Sequence, residues 1–212
     1  MAFVPAIWAA PVKIACVGDS ITYGYKIPDR ETGCYPAQLQ RLLDKKAPGR
    51  YEVHNFGVSS MTLMRNTAKP YTGCREYRDS VACTADIVII MLGTNDSSGA
   101  NRALIDTHFE QDYRKLISAY RDGRQGREPR IIVMLPPKCF LEGRGTDENT
   151  IRRKIVPIIR KVARDASAEL IDLYASISTN WKVDLMPDKL HPSAEGAGMM
   201  AEKIAPVVLK RK

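Results

Sequence analysis

A three-layer α/β/α sandwich around a parallel sheet of about five strands is the fold class this 212-residue chain predicts. Two observations carry it. Short continuous apolar runs recur along the chain, as strands buried on both faces do. Amphipathic stretches of helical length separate them, so that strands and helices alternate.

The first apolar run, residues 12–17, predicts a buried strand, and Gly18-Asp19-Ser20-Ile21-Thr22-Tyr23-Gly24 follows it. A serine hydroxyl therefore stands at a strand's C-terminal end, where open α/β sheets place their chemistry. A helix is predicted over 35–46 and a second strand over 51–56, ending in Gly57-Val58-Ser59-Ser60. The third strand, 86–92, ends in Gly93-Thr94-Asn95-Asp96, and a helix over 101–121 leads to the fourth, 130–135. A helix over 150–167, kinked or interrupted at Pro157, precedes a fifth strand at 169–173, and a helix over 193–209 closes the pattern. Two long connections, 59–81 and 136–149, leave the sheet at the same edge as Ser20 and are expected to border a site. No repeat or linker divides the chain, so residues 12–209 form one domain. Residues 1–11 read as a lead-in or the remnant of a signal peptide, without the basic start of an intact one.

Composition bounds the function. Charged residues at 26% and hydrophobic ones at 44% are ordinary for a globular chain, and no apolar run reaches the roughly 20 residues of a spanning helix. The net charge of +8 is scattered: Arg152-Arg153-Lys154 and Arg160-Lys161 predict a solvated helix face, and Lys210-Arg211-Lys212 a basic tail. No nucleic-acid motif accompanies them, so nucleic acid is not an expected partner. Five cysteines without Cys-x-x-Cys spacing argue against zinc. Cys74 and Cys83 flank a short helical segment and are read as either a disulfide or two free thiols. A phosphate or flavin cradle at the first loop is disfavoured, because Asp19 would repel phosphate and no glycine-rich phosphate motif appears.

A serine attacks a carbonyl only with a base in reach, a group orienting that base, and donors for the oxyanion. Of the three histidines, His54 lies within the second predicted strand and His108 within a helix with no adjacent motif. His191 has the right company: Asp188 precedes it by three residues, close enough for a short turn to fold the carboxylate onto the imidazole. Ser20 N–H, Gly57 N–H and the Asn95 amide could meet at one point as oxyanion donors. Singly, each glycine reads as turn punctuation and Asn95-Asp96 as a helix cap.

Together, Gly18-Asp19-Ser20, Asn55-Phe56-Gly57, Gly93-Thr94-Asn95-Asp96 and Asp188-Lys189-Leu190-His191-Pro192 resemble the four sequence blocks of the SGNH hydrolase superfamily, or GDSL-type esterases. The resemblance runs from about residue 13 to about residue 209 and departs from the family nickname only in carrying Ile21 for leucine. It implies a flavodoxin-like SGNH hydrolase fold, Ser20 as nucleophile, His191 as base, Asp188 as its orienter, and Ser20, Gly57 and Asn95 as the oxyanion hole. No metal or organic cofactor is implied. The text around the second and third blocks looks like bacterial carbohydrate acetylesterase and sialate O-acetylesterase-like members, which implies removal of O-acetyl groups from a glycan. Lysophospholipase or acyl-thioesterase activity is the alternative, with Met61, Leu63 and Met64 as part of an acyl channel, and a non-catalytic glycan-binding module a further one. Family habit favours a secreted or periplasmic protein.

Overall fold

The computed structural model describes residues 10–123, 126–143, 145–178 and 185–210. Most of the 1–11 segment and the last two residues of the basic tail lie outside them.

Strand β1 (Val12–Gly18) runs into a four-residue helix, α1 (Ser20–Tyr23), and then α2 (Arg30–Gly33) and α3 (Tyr35–Lys46). Strand β2 (Tyr51–Gly57) and α4 (Arg75–Ala82) follow, then β3 (Ile87–Met91), α5 (Glu110–Asp122) and β4 (Arg130–Leu135). The chain continues through α6 (Glu148–Thr150), α7 (Val156–Asp165), β5 (Glu169–Asp172), α8 (Leu173–Ser178) and α9 (Ala194–Leu209). All five expected strands are present within a residue of their predicted bounds. They pair in parallel in the order β2-β1-β3-β4-β5. The chain passes from β1 to one side for β2 and to the other for β3, so the switch point of the sheet opens between the C-terminal ends of β1 and β3.

Alternation along β1 builds two cores. Ile14 and Cys16 point into the layer shared with Leu39 and Leu43 of α3 and Met200 and Ile204 of α9. Ala15 and Val17 point the other way, toward Phe109, Tyr113 and Ile117 on the α5 side and Ile159 and Val162 of α7. Successive residues serve opposite layers because the strand period is two, and a run with both faces covered must be apolar throughout. Helix α3 is also tied to the strand beside it: the Gln40 side chain accepts from Val53 N–H at 2.7 Å and donates to Tyr51 C=O at 3.0 Å.

Two predicted helices differ in their first halves. The 101–121 pattern opens as a 3-10 turn, Gly99–Leu104, and a π turn, Ile105–Phe109, before α5. The 150–167 pattern has a π turn at Ile151–Ile155 ahead of α7. Pro157 explains the second: it has no N–H to give a carbonyl four residues back and its ring crowds that carbonyl, so the widened turn takes up the mismatch. Arg152 and Arg153 are exposed there, as a solvated face requires, and Lys154 pairs with Asp106 at 2.5 Å. All five cysteines are free thiols. Cys74 and Cys83 cap the two ends of α4, about 13 Å apart at 1.5 Å per residue, too far for a disulfide. Among the described residues no helix is long and apolar enough to cross a membrane.

Candidate active site

Ser20 is the first residue of α1, and Asp19 holds that helix in place. One Asp19 carboxyl oxygen accepts from Ile21 N–H at 2.9 Å, the usual N-cap bond, and Gly24 ends the helix with φ 88°. Sequence patterning misses α1, because four residues are too few for a period; Asp19 as cap and Gly24 as stop were its only signals. The Asp19 carboxyl is buried, which pushes its pKa up to about 7 despite the Ile21 bond, with Asp96 adding to the rise.

Across the switch point, Ser20 Oγ lies 2.9 Å from His191 Nε2, and His191 Nδ1 lies 2.7 Å from Asp188 Oδ2. The other Asp188 oxygen accepts from the N–H groups of His191 at 2.7 Å and Leu190 at 3.1 Å. Partial burial acts to raise the Asp188 pKa, but these bonds from His191 and Leu190, with the Lys26 ammonium, bring it well below the usual carboxylate range. A carboxylate so held accepts Nδ1–H and leaves the Nε2 lone pair facing the serine. The turn carrying the pair ends at Ser193, whose hydroxyl caps α9 by accepting from Gly196 N–H. The structure thus brings Ser20, His191 and Asp188 together. His54 sits in β2 stacked on Phe56, and His108 in the π turn contacts Asn66.

The three groups expected as oxyanion donors differ in what they already bond to. The Ser20 N–H belongs to the first turn of a helix and has no intrahelical acceptor. The Asn95 amide gives one hydrogen to Met61 C=O at 2.9 Å and keeps a second. Gly57 needs correction as a free donor: its N–H is bonded to Asn55 Oδ1 at 2.9 Å. The missing side chain serves packing. A Cβ at Gly57 would lie 2.2 Å from Tyr23 N and 2.6 Å from Thr22 C, so only glycine lets α1 rest on the end of β2. Farther along the same loop, Ser60 has φ 68°, and its N–H has no hydrogen-bond partner among the described residues. It lines a cavity of about 240 Å³ with Asn95 and Ser98.

Asp96 does not cap a helix. Its buried carboxylate accepts from Leu63 N–H at 2.8 Å and Met64 N–H at 2.9 Å, fastening the loop after β2 to the end of β3. Burial pushes its pKa up to about 6, with the two N–H bonds working against the rise. Leu63 and Met64 are consequently core residues, 2% and 0% exposed, and line no acyl channel in this structure, while Met61, the third residue of that reading, is half-buried against the same core. The 136–149 connection does border the site. Phe140 N–H bonds to Lys189 C=O at 2.7 Å beside His191, and Asp147 N–H to Ser97 Oγ at 3.0 Å beyond Asn95.

Solved structures with this architecture include the carbohydrate acetylesterase Est24 from Sinorhizobium meliloti, 22% identical, TM-score 0.72, over 92% of this chain and 97% of that one. A catalytic mutant of Axe2, an acetylxylan esterase from Geobacillus stearothermophilus, is 21% identical, TM-score 0.72, over 96% and 97%. At such identities both speak to the fold alone. An acetylxylan esterase from Xylanibacter ruminicola is 33% identical over 220 residues, covering 97% of this chain. The chain spans 45% of that relative's length. The model of the GDSL-like Lipase/Acylhydrolase family matches residues 16–199, which take in the serine, the loop after β2, Asn95 and the Asp188–His191 turn. With the strand-end blocks in the same chain order and the sheet presenting them at one switch point, the chain belongs to the GDSL-like lipase/acylhydrolase family.

Proposed function

We propose that this protein is a serine carboxylic-ester hydrolase that removes O-acetyl groups from a carbohydrate through an acyl-serine intermediate. The continuous relay from Ser20 Oγ through His191 to Asp188, at 2.9 and 2.7 Å, carries the reading. His191 Nε2 takes the hydroxyl proton as Ser20 Oγ bonds to the ester carbonyl carbon, and Asp188 steadies the imidazolium that results. His191 returns the proton to the departing alcohol as the ester C–O bond breaks. Water then attacks the acyl-serine, His191 taking its proton and passing it back to Ser20 as the acid leaves. Charge on the carbonyl oxygen is met by Ser20 N–H and the second Asn95 amide hydrogen. From the loop after β2, Ser60 N–H is the third donor in place of Gly57, a choice supported by its open N–H and the cavity it shares with Asn95.

Acetyl as the acyl group is supported by the core positions of Leu63 and Met64, which leave those residues no part in a long-chain channel. A glycan as the alcohol is supported by the acetylxylan esterase relative. The test is a p-nitrophenyl ester series from acetate to palmitate beside acetate release from acetylated xylan. Fastest turnover on acetate, together with acetate release from the glycan, is expected. Preference for chains of eight or more carbons would sink the acetyl reading.

Asn95→Ala should lower kcat by about 100- to 1000-fold, the usual cost of one oxyanion donor. Because the side chain also holds Met61 C=O, a melting curve should accompany the kinetics. A loss smaller than tenfold in a folded variant would remove Asn95 from the oxyanion hole.

A further inference from the structure

Lys26 stands where the backbone gives no reason for a lysine. Two residues past Gly24, it has φ 65°, in the left-handed region. An L side chain there is strained, and glycine or asparagine is the easier occupant. Such an outlier persists when the surroundings over-determine it, and it points toward a function for the side chain.

That side chain leaves the nucleophile's loop and crosses to the turn that carries the base. Lys26 Nζ lies 2.9 Å from Asp188 Oδ2, the same oxygen that accepts His191 Nδ1–H at 2.7 Å. With Asp188 Oδ1 held by two N–H groups, the carboxylate has four donors among the described residues, and of these the ammonium alone comes from the α1 side. We propose that Lys26 is a positioning residue that shares Asp188 with His191 and, by its charge, sets the pH range in which His191 is available as base. This rests on the triad reading above.

The electrostatics follow from the shared oxygen. When His191 is protonated, the imidazolium and the ammonium are like charges bridged by one carboxylate oxygen, so the ammonium opposes protonation of the ring. The groups facing the ring are few. Ser20 and Tyr25 approach from the α1 side, the Tyr25 ring edge-on at 4.9 Å between centroids. Asp188 and Lys189 neighbour it on its own turn. The cavity of about 500 Å³ behind the pair is lined by Ser193 and by apolar residues such as Ile27, Pro28 and Pro187, and its charged members are Lys26, Asp188 and, when protonated, His191. The Lys26 side chain is 54% exposed, so its effect is partly screened and should respond to salt.

Lys26→Met keeps the aliphatic stem and removes the charge. The test is kcat/KM for p-nitrophenyl acetate against pH, at low and high ionic strength, for wild type, Lys26→Met and Lys26→Arg, with melting curves. At low salt the acidic limb of Lys26→Met should move to higher pH by roughly half a unit, a loss of about threefold on the acid side. Lys26→Arg should restore the wild-type limb, and high salt should narrow the gap between wild type and Lys26→Met. A limb that stays in place overturns the proposal, whether activity is unchanged or falls equally at every pH, because a brace alone would not move it. Ser20→Ala run alongside separates the two failures: if it keeps turnover, the triad reading itself is lost.

Discussion

Ser20→Ala is expected to abolish ester hydrolysis and leave the fold intact. In the proposed mechanism the hydroxyl oxygen is the atom that bonds to the acyl carbon, and its hydrogen-bond partner is His191 Nε2. Loss of a serine nucleophile backed by an intact base and oxyanion hole costs on the order of a million-fold in kcat. That would bring p-nitrophenyl acetate turnover down to the level of the uncatalysed blank. Stability should change little, since one hydrogen bond is worth about 1 kcal/mol and alanine fits the first turn of α1. Stopped assays at high enzyme concentration, with thermal melting, read both quantities. Retention of wild-type activity in a folded Ser20→Ala variant would falsify the acyl-serine mechanism.

Gly57→Ala is the second large effect, and it separates two reasons for having glycine there. If the residue served only through its N–H, alanine would keep that N–H and cost little. The added methyl carbon would instead lie 2.2 Å from Tyr23 N and 2.8 Å from Tyr23 Cα, and backbone atoms cannot swing aside as a side chain can. Either the end of β2 or α1 must shift. Displacing the nucleophile by about 1 Å costs about 100-fold in rate, and overpacking of this kind about 1–3 kcal/mol in stability. A fall of that size in kcat/KM with a lower Tm is expected. Wild-type values for both would show that α1 does not depend on the missing side chain.

The fold was largely legible because parallel strands covered on both faces must be apolar along their whole length. Residues 12–17 and 130–135 therefore announce themselves without any long-range information, as do the turn residues that end the strands. The site was legible to the extent that its parts sit at those ends. Ser20, Asn95 and the Asp188–His191 pair are each marked by a local run of glycine, asparagine, aspartate or proline. What was not legible depends on residues far apart in sequence. Leu63 and Met64 read the same whether they line a channel or fill a core, and the decision lies with Asp96, 33 and 32 residues away. Gly57 reads as a turn glycine, and only the approach of Thr22 and Tyr23 shows why it is there. Lys26 carried no signal, since a lysine in a loop is unremarkable until its left-handed backbone and its partner on the opposite turn are seen.

The bonds that Gln40 makes to Tyr51 and Val53, and that Asn55 makes to Gly57, have a consequence beyond anchoring a helix. Strand β2 is one of the two margins of the sheet, with β1 on one side alone, and a strand's open side is a template on which another chain can add. At Val53 and Gly57 the outward N–H groups are already given to side-chain oxygens, and at Tyr51 the carbonyl is already taken by the Gln40 amide. Two side-chain amides thus imitate a sixth strand. At these three positions they occupy the groups that an added chain would need, on the same strand whose end supports α1 and Ser20.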